Sequence, residues 1–367
     1  MTGGKIMSRS DTDLFEPVQA GRYRLRNRLI MAAMTRNRSP GEIPGDLNVD
    51  YYGQRATAGL IVAESTAISE QGIGWRDTPG IYTDAMIAGW RRVTDAIHRN
   101  GGRTFLQLWH CGRCSHPDWR PDGSHPVAPS AVQSIGGMTT ANGRQQHAMP
   151  RALELHELPG IVDQYRQATV NALAAGFDGV EVHAGNGYLI DQFLQDASNR
   201  RTDHYGGSIE NRCRLLWEVL DAVIGVAGAD RVGIHISPTN VHHGISDGDP
   251  EKLFAVVVDR LNGYGLAYLN VVEGATDPTE TEIPFDWQAL RRRYRGIYIA
   301  NNNYDLARAI EALRQDHADL FSFGRLYIAN PDLVARFREG APLNPLHIPG
   351  IIAEGPVGYT DYPSLGD

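Results

Sequence analysis

The chain has 367 residues, 42% of them hydrophobic and 21% charged, with a formal net charge of −8. Such a composition is ordinary for a globular protein able to bury a large core, and the acidic balance excludes a global field favouring nucleic acid or an anionic membrane. No apolar stretch approaches the roughly 20 residues that a bilayer-spanning helix needs.

Residues 1–13 contain no apolar core of a secretory signal and read as a flexible leader before one domain spanning 14–367. Three cysteines give no disulfide framework and fit a reducing cytoplasm. Phe15–Asn27 is expected to form a hairpin around Ala20-Gly21-Arg22. Eight short apolar runs then follow: Leu29–Met34, Gly59–Glu64, Thr104–Trp109, Gly179–His183, Val232–Ile236, Ala267–Val272, Ile297–Ala300 and Leu320–Phe323. Helical patterns separate most of them, at 84–100, 159–175, 208–226, 250–264, 304–315 and 331–339. Pro159 suits a first helical turn, Gly176 a C-cap and Ser208 an N-cap. Eight strand-like runs alternating with helices predict a (β/α)8 TIM barrel, its floor closed by the N-terminal hairpin. A doubly wound sheet would want a Gly-x-Gly-x-x-Gly turn after an early strand, and none is present. The stretch from Cys111 to Arg151 is long for a barrel loop and is a candidate lid over the C-terminal face. The basic run Arg291–Arg295 is expected on a solvated helix face.

In a (β/α)8 barrel the chemistry sits at the C-terminal ends of the strands. Those positions offer Thr35, Ser65, Gln107 and Trp109, then His183, Asn186 and Tyr188. Arg231 and His235 flank the fifth strand, Asn301–Asn303 follow the seventh, and Gly324-Arg325 follow the eighth. The cluster in Val182-His-Ala-Gly-Asn-Gly-Tyr188 is the most informative. An imidazole and a carboxamide can hold a carbonyl oxygen between donors, and a phenol can deliver a proton nearby. Loops after strands seven and eight form the usual phosphate site of such barrels, and one arginine with backbone N–H groups can hold a phosphate dianion. Only two lysines occur, Lys5 and Lys252, neither at a strand end, so Schiff-base chemistry has almost no candidate nucleophile. His110-Cys111-Gly-Arg-Cys114-Ser-His116 has part of a zinc spacing, but no second Cys-x-x-Cys pair exists and no metal is expected.

Several motifs in order resemble one family from about Leu14 to Leu365. They are Met34-Thr35-Arg36, Gln107-Leu108-Trp109-His110, the His183 segment and Asp203-x-Tyr205-Gly-Gly-Ser-x-Glu-Asn-Arg212. Arg231-Val-Gly-Ile, Phe323-Gly-Arg325, Ala329-Asn-Pro-Asp-Leu333 and Gly358-Tyr-Thr-Asp-Tyr-Pro363 complete the set. The chain resembles the Old Yellow Enzyme family of FMN-dependent ene-reductases, in particular its bacterial N-ethylmaleimide and glycerol trinitrate reductase branch.

The resemblance implies non-covalent FMN, with NADPH or NADH as reductant and small electron-poor alkenes as substrates. It implies that Ala33, Met34 and Thr35 line the isoalloxazine and that Ser65 and Gln107 contact its pyrimidine edge. Arg231 would place positive charge near N1 and O2. Asn302, Asn303, Gly324 and Arg325 would hold the phosphate. His183 and Asn186 would bind the substrate oxygen, Tyr188 would donate the proton, and Trp75, Trp109, Tyr359 and Phe285 would wall the pocket. Departures from the family pattern are Asn302 in place of a glycine, Ser65 in place of Gly or Ala, and Trp75 in place of a tyrosine. Reduction of nitrate esters or nitroaromatics at the same site is the alternative activity, and a non-catalytic flavin-binding protein the alternative class. A monomer or homodimer is expected, without nucleic-acid or membrane partners.

Overall fold

The computed structural model describes residues 13–120, 122–276 and 282–366, so the expected leader lies almost wholly outside the described residues. In chain order the strands are β1 (Val18–Ala20), β2 (Tyr23–Leu25), β3 (Leu29–Met31), β4 (Leu60–Ala67), β5 (Thr104–Trp109), β6 (Val127–Ala128) and β7 (Gly137–Thr140). They continue as β8 (Gly143–Gln146), β9 (Arg151–Ala152), β10 (Gly179–Ala184), β11 (Val232–Ile236), β12 (Tyr268–Val272), β13 (Tyr298–Asn301) and β14 (Leu320–Phe323). Strands β3, β4, β5 and β10 to β14 close an eight-stranded barrel in that order, each pairing parallel with the next. Each predicted apolar run overlaps one of these strands, and β4, β10 and β13 extend one to three residues past the predicted ends. The reason is physical: a parallel strand is covered on both faces and so reads as a near-continuous hydrophobic run.

The lower barrel interior is an apolar plug of Ile30, Leu60, Val62, Phe105, Tyr268, Ile299 and Leu320. The expected hairpin, β1 paired antiparallel with β2, seals it from below with Ala20 and Leu25. Its turn needs Gly21: φ is +53°, and a Cβ there would lie 2.0 Å from the Asp230 carbonyl oxygen. Arg22 pairs with Asp230 at 2.7 Å at the same floor.

Around the barrel, the helix Asp84–Arg99 starts where Thr83 accepts a hydrogen bond from the Met86 amide, and it buries Trp90, Val93 and Ile97. Leu158–Ala174 follows the reading from Pro159 closely. The stretch expected as one helix from Ser208 is two, Ile209–Arg212 and Arg214–Ala227, with Ser208 as the N-cap. Helices Asp46–Gln54 and Leu189–Leu194 have no counterpart in the expected set, whereas Trp287–Arg293 is the helix expected at the basic run. The last carries the basic run; Arg292, Arg293 and Arg295 are exposed, whereas Arg291 turns in to bond Asp319 at 3.1 Å.

The long segment after β5 is docked over the C-terminal face. Its hairpin β7–β8 is antiparallel, β6 pairs with β9, and the Ile135 amide bonds the His243 carbonyl at 3.2 Å. Among the described residues, no helix is long and apolar enough to cross a membrane.

Candidate active site

The C-terminal rim of the barrel changes from apolar to polar one layer above the plug. The Ser65 hydroxyl donates to Gln107 Oε1 at 2.5 Å, and Gln107 Nε2 donates to Glu181 Oε1 at 2.7 Å. The second Glu181 oxygen accepts from Asn270 Nδ2 at 3.0 Å. Glu181 is fully buried, and burial raises its pKa. The sequence reading passed over it, although two residues below His183 on the same strand it had to face the same way.

His183 and His235 are register partners on β10 and β11, with ring centroids 4.8 Å apart. His183 Nδ1 accepts from the Gly185 amide at 3.4 Å, which puts the ring proton on Nε2. Burial, then the neighbouring His235, holds its pKa well below the usual value, so the ring is neutral and Nε2–H is a donor at pH 7. Asn186 sits at φ +56°, its amide bonded to the Ser237 hydroxyl at 2.6 Å. Its Oδ1 is occupied by Asn240 Nδ2 at 3.0 Å, so the NH2 end is what the side chain presents. That nitrogen is 3.4 Å from His235 Nε2, which leaves its other N–H for an incoming oxygen. Tyr188 stands at the start of the helix Leu189–Leu194, its ring 5.1 Å from both His183 and Trp109 in edge-to-face contact. Burial pushes the phenol well above its ordinary pKa, so it stays protonated. His183, Asn186 and Tyr188 therefore converge as two neutral donors beside one proton source.

Across the rim, a cavity of about 380 Å³ is lined by Thr276, Asn301–Asn303, Ser322, Gly324 and Arg325, among others. Asn302 and Asn303 have φ +99° and +54°, a conformation asparagine tolerates better than most residues. Asn302 Nδ2 spans the Glu273 and Ala275 carbonyls at 2.9 and 2.7 Å, fixing the loop. The buried Ser322 hydroxyl has no partner among the described residues, and Arg325 lines the cavity. An anionic phosphate fits this set: one cation, one unsatisfied hydroxyl and turned backbone. Met34 closes the cavity toward β3, since a Cβ on Gly324 would come within 3.2 Å of its sulfur. Ala33, Met34 and Thr35 are half-buried in that gap between the two polar ends. The residues present thus fit a flat ring system with a phosphate tail.

Three expected positions are corrected. Arg231 precedes β11 and lies at the floor, donating to the Asp178 and Phe177 carbonyls at 2.6 and 3.1 Å, so it is at the wrong end of the strand for a flavin contact. His235, three residues into the same strand, is the β11 side chain beside His183 and Asn186. Burial lowers its pKa to about 4, and its Nδ1 has no partner among the described residues. Tyr359 is not a pocket wall. It is fully buried, stacked on Tyr51 at 4.1 Å and flanked by the Arg36 and Arg38 guanidiniums at 4.8 and 4.9 Å. Phe285 lies outside the barrel, against Trp287 at 4.4 Å, in a cleft with Glu251 and Ala255 from the helix Pro250–Leu261.

Trp109 is fully buried behind Tyr188 in a cluster with Cys111 and Cys114, and it supports the phenol rather than lining open space. Trp75 is half-buried and packs on the same cluster.

Comparison with known proteins matches residues 13–344 to the NADH:flavin oxidoreductase / NADH oxidase family. A morphinone reductase structure is 47% identical, covering 98% of both chains with a TM-score of 0.94. The Old Yellow Enzyme homologue of Zymomonas mobilis is 42% identical over 96% of this chain and 99% of its own, with a TM-score of 0.93. Rice (Oryza sativa subsp. japonica) 12-oxophytodienoate reductase 7 is 43% identical, covering 96% of this chain and 95% of its own length. A further morphinone reductase structure, 48% identical over 97% of this chain and 99% of its own with a TM-score of 0.92, holds tetrahydroNAD. With barrel, polar rim and phosphate-sized cavity in place, the chain belongs to the NADH:flavin oxidoreductase / NADH oxidase family as an FMN-dependent oxidoreductase of the Old Yellow Enzyme type.

Proposed function

We propose that this protein reduces the activated C=C bond of α,β-unsaturated carbonyl compounds. The observation that carries the reading is the fixed polarity of Asn186: with Oδ1 held by Asn240, its N–H and the His183 Nε2–H are both offered to one oxygen. FMN, when bound, supplies the hydride and is itself recharged by a nicotinamide. The other roles belong to side chains.

His183 and Asn186 take the carbonyl oxygen and stabilise the negative charge that grows on it. Because both are neutral and fixed, they need no reorganisation as that charge develops. Tyr188, protonated and held edge-on by His183 and Trp109, gives its proton to the α-carbon of the resulting enolate. Water then restores the phenol. Arg325 with Asn302, Asn303 and the Ser322 hydroxyl would hold the phosphate; Ala33, Met34 and Thr35 would flank the ring, and Ser65 and Gln107 would meet its pyrimidine edge. The relatives' substrates support the class: 12-oxophytodienoate and morphinone are both named as ketones.

The test is a crystal of the FMN-loaded protein soaked with p-hydroxybenzaldehyde, whose phenolate oxygen mimics an enolate. That oxygen is expected between His183 Nε2 and Asn186 Nδ2. Finding it elsewhere, or finding no flavin absorption bands after reconstitution, overturns the assignment.

A further inference from the structure

Glu181 lies one layer below His183 on β10 and is fully buried. Its Oε1 accepts from Gln107 Nε2 at 2.7 Å and its Oε2 from Asn270 Nδ2 at 3.0 Å. The Tyr268 phenol also acts on it, and among the described residues no cation does. One layer up, burial keeps His183 and His235 neutral, while Arg231 is spent on carbonyls at the floor. The proposed pyrimidine end of the flavin site thus stands over one buried acid with no cation beside it. Burial raises its pKa, yet each oxygen already faces an N–H donor, so a proton on either would displace a hydrogen bond. A buried charge costs free energy unless its neighbours offset it, so a lone carboxylate here asks for a use beyond packing.

We propose that Glu181 is a positioning residue for the flavin end of the reaction: it fixes the hydrogen-bond polarity of Gln107 and Ser65 and, through its charge, makes the site hold reduced FMN less tightly than oxidised FMN. The inference rests on the function proposed above and deepens it. A carboxylate only accepts, so Gln107 must turn its NH2 toward Glu181 and its carbonyl toward the Ser65 hydroxyl, 2.5 Å away. One Gln107 N–H, one lone pair of its carbonyl and the Ser65 lone pairs then remain for a ligand. A flavin pyrimidine edge, an N–H between two carbonyl oxygens, needs that mixture of donor and acceptor. Asn270 holds the second carboxylate oxygen and so restrains Glu181 against Gln107. Hydride from a nicotinamide carries two electrons and one proton; it leaves the nicotinamide oxidised and the FMN ring with one added negative charge. Glu181 repels that charge across a low-dielectric interior. Passing the hydride to the alkene β-carbon removes the charge from the ring and places it on the enolate oxygen at His183 and Asn186. Glu181 thereby biases the hydride away from an end that disfavours negative charge and toward one built to receive it.

The experiment measures FMN affinity by fluorescence titration, and the two-electron reduction of bound FMN by equilibration with a redox dye, for the parent, Glu181→Gln and Glu181→Asp. The glutamine removes the charge but keeps an oxygen for Gln107, and its NH2 can meet Asn270 Oδ1, which has no partner among the described residues. FMN affinity should stay near the parent's, while the equilibrium shifts roughly tenfold or more toward reduced FMN, about 30 mV more positive for a two-electron couple. The aspartate keeps the charge but draws back from Gln107. FMN should then weaken about fivefold, with the reduction equilibrium close to the parent's. A purely structural role would instead lower FMN affinity in both variants and leave the equilibrium alone. That result overturns the proposal, as does a glutamine variant indistinguishable from the parent. If neither variant folds, the parent decides: oxidised FMN should bind it tighter than reduced FMN, and the reverse order overturns the role of the charge. A parent without flavin bands after reconstitution would count against the cofactor reading instead.

Discussion

The two polar ends of the rim are built differently. At the β10–β11 end every functional residue is held by a neighbouring group: the Asn186 side chain by Asn240 and its backbone amide by Ser237, His183 by the Gly185 amide, Tyr188 by Trp109. Its groups are buried or half-buried, and neutral. At the β13–β14 end the cavity is shaped by backbone at positive φ and by an arginine open to solvent. The first suits charge that appears for the length of a transition state; the second suits a permanent dianion. A neutral, dry donor pair favours developing charge most, because water is not there to compete. A standing charge is better met by a cation that stays partly hydrated, since its desolvation would cost more than the pairing returns.

The sharpest way to break this contrast is Tyr188→Phe. Deleting the phenol oxygen should lower turnover of 2-cyclohexenone by roughly 10²–10⁴-fold, the usual contribution of a positioned general acid. FMN affinity and the rate of flavin reduction by the nicotinamide should be unchanged, as stopped-flow measurement of the two half-reactions would show. Equal slowing of both halves would mean that Tyr188 shapes the site instead of donating.

Arg325→Ala addresses the other end. Loss of one charge-assisted contact should weaken FMN by roughly 10- to 100-fold, read from fluorescence titration of the apoprotein. Once saturated with FMN, the variant should bind p-hydroxybenzaldehyde as the parent does. A variant that keeps FMN affinity but loses phenol binding would show the two ends to be one coupled unit.

Legibility in the sequence follows the same divide. The strands could be placed because burial on both faces leaves apolar runs, and His183, Asn186 and Tyr188 could be grouped because one short loop carries all three. Arg231 was misplaced because a sequence pattern marks a strand without saying which end a flanking residue reaches. With β11 beginning at Val232, residue 231 belongs to the floor, and alternate positions 233 and 235 point inward beside Glu181 and His183. His235 was recoverable from that parity; the partners of its ring were not. Tyr359 could not be resolved from a wall residue, since its burial comes from Tyr51, Arg36 and Arg38, more than three hundred residues earlier in the chain. Helix Asp46–Gln54 escaped for a similar reason: its fixed side is the adjacent pair Tyr51 and Tyr52 with Asn48, not a regular apolar stripe.

The finest probe of the contrast is Asn240, which touches neither reactant in this reading and holds Asn186 through its Nδ2 while its Oδ1 accepts from the His242 amide at 2.7 Å. Asn240→Ala frees Oδ1, so the Asn186 amide can turn either way and spends part of its time with oxygen facing the substrate oxygen. One neutral hydrogen bond of this kind contributes about 1 kcal/mol, and it acts on the charge that grows on the oxygen, so kcat/KM for 2-cyclohexenone should fall about fivefold, with part of the loss in kcat. Asn240→Asp should do worse despite being nearly the same size. Its carboxylate accepts and cannot donate, so it turns the Asn186 NH2 toward itself and leaves Oδ1 against the incoming carbonyl. If the site depends on fixed polarity, affinity for p-hydroxybenzaldehyde should fall in the order parent, alanine, aspartate. If it depends only on filled volume, aspartate should resemble the parent and alanine should be the weaker variant.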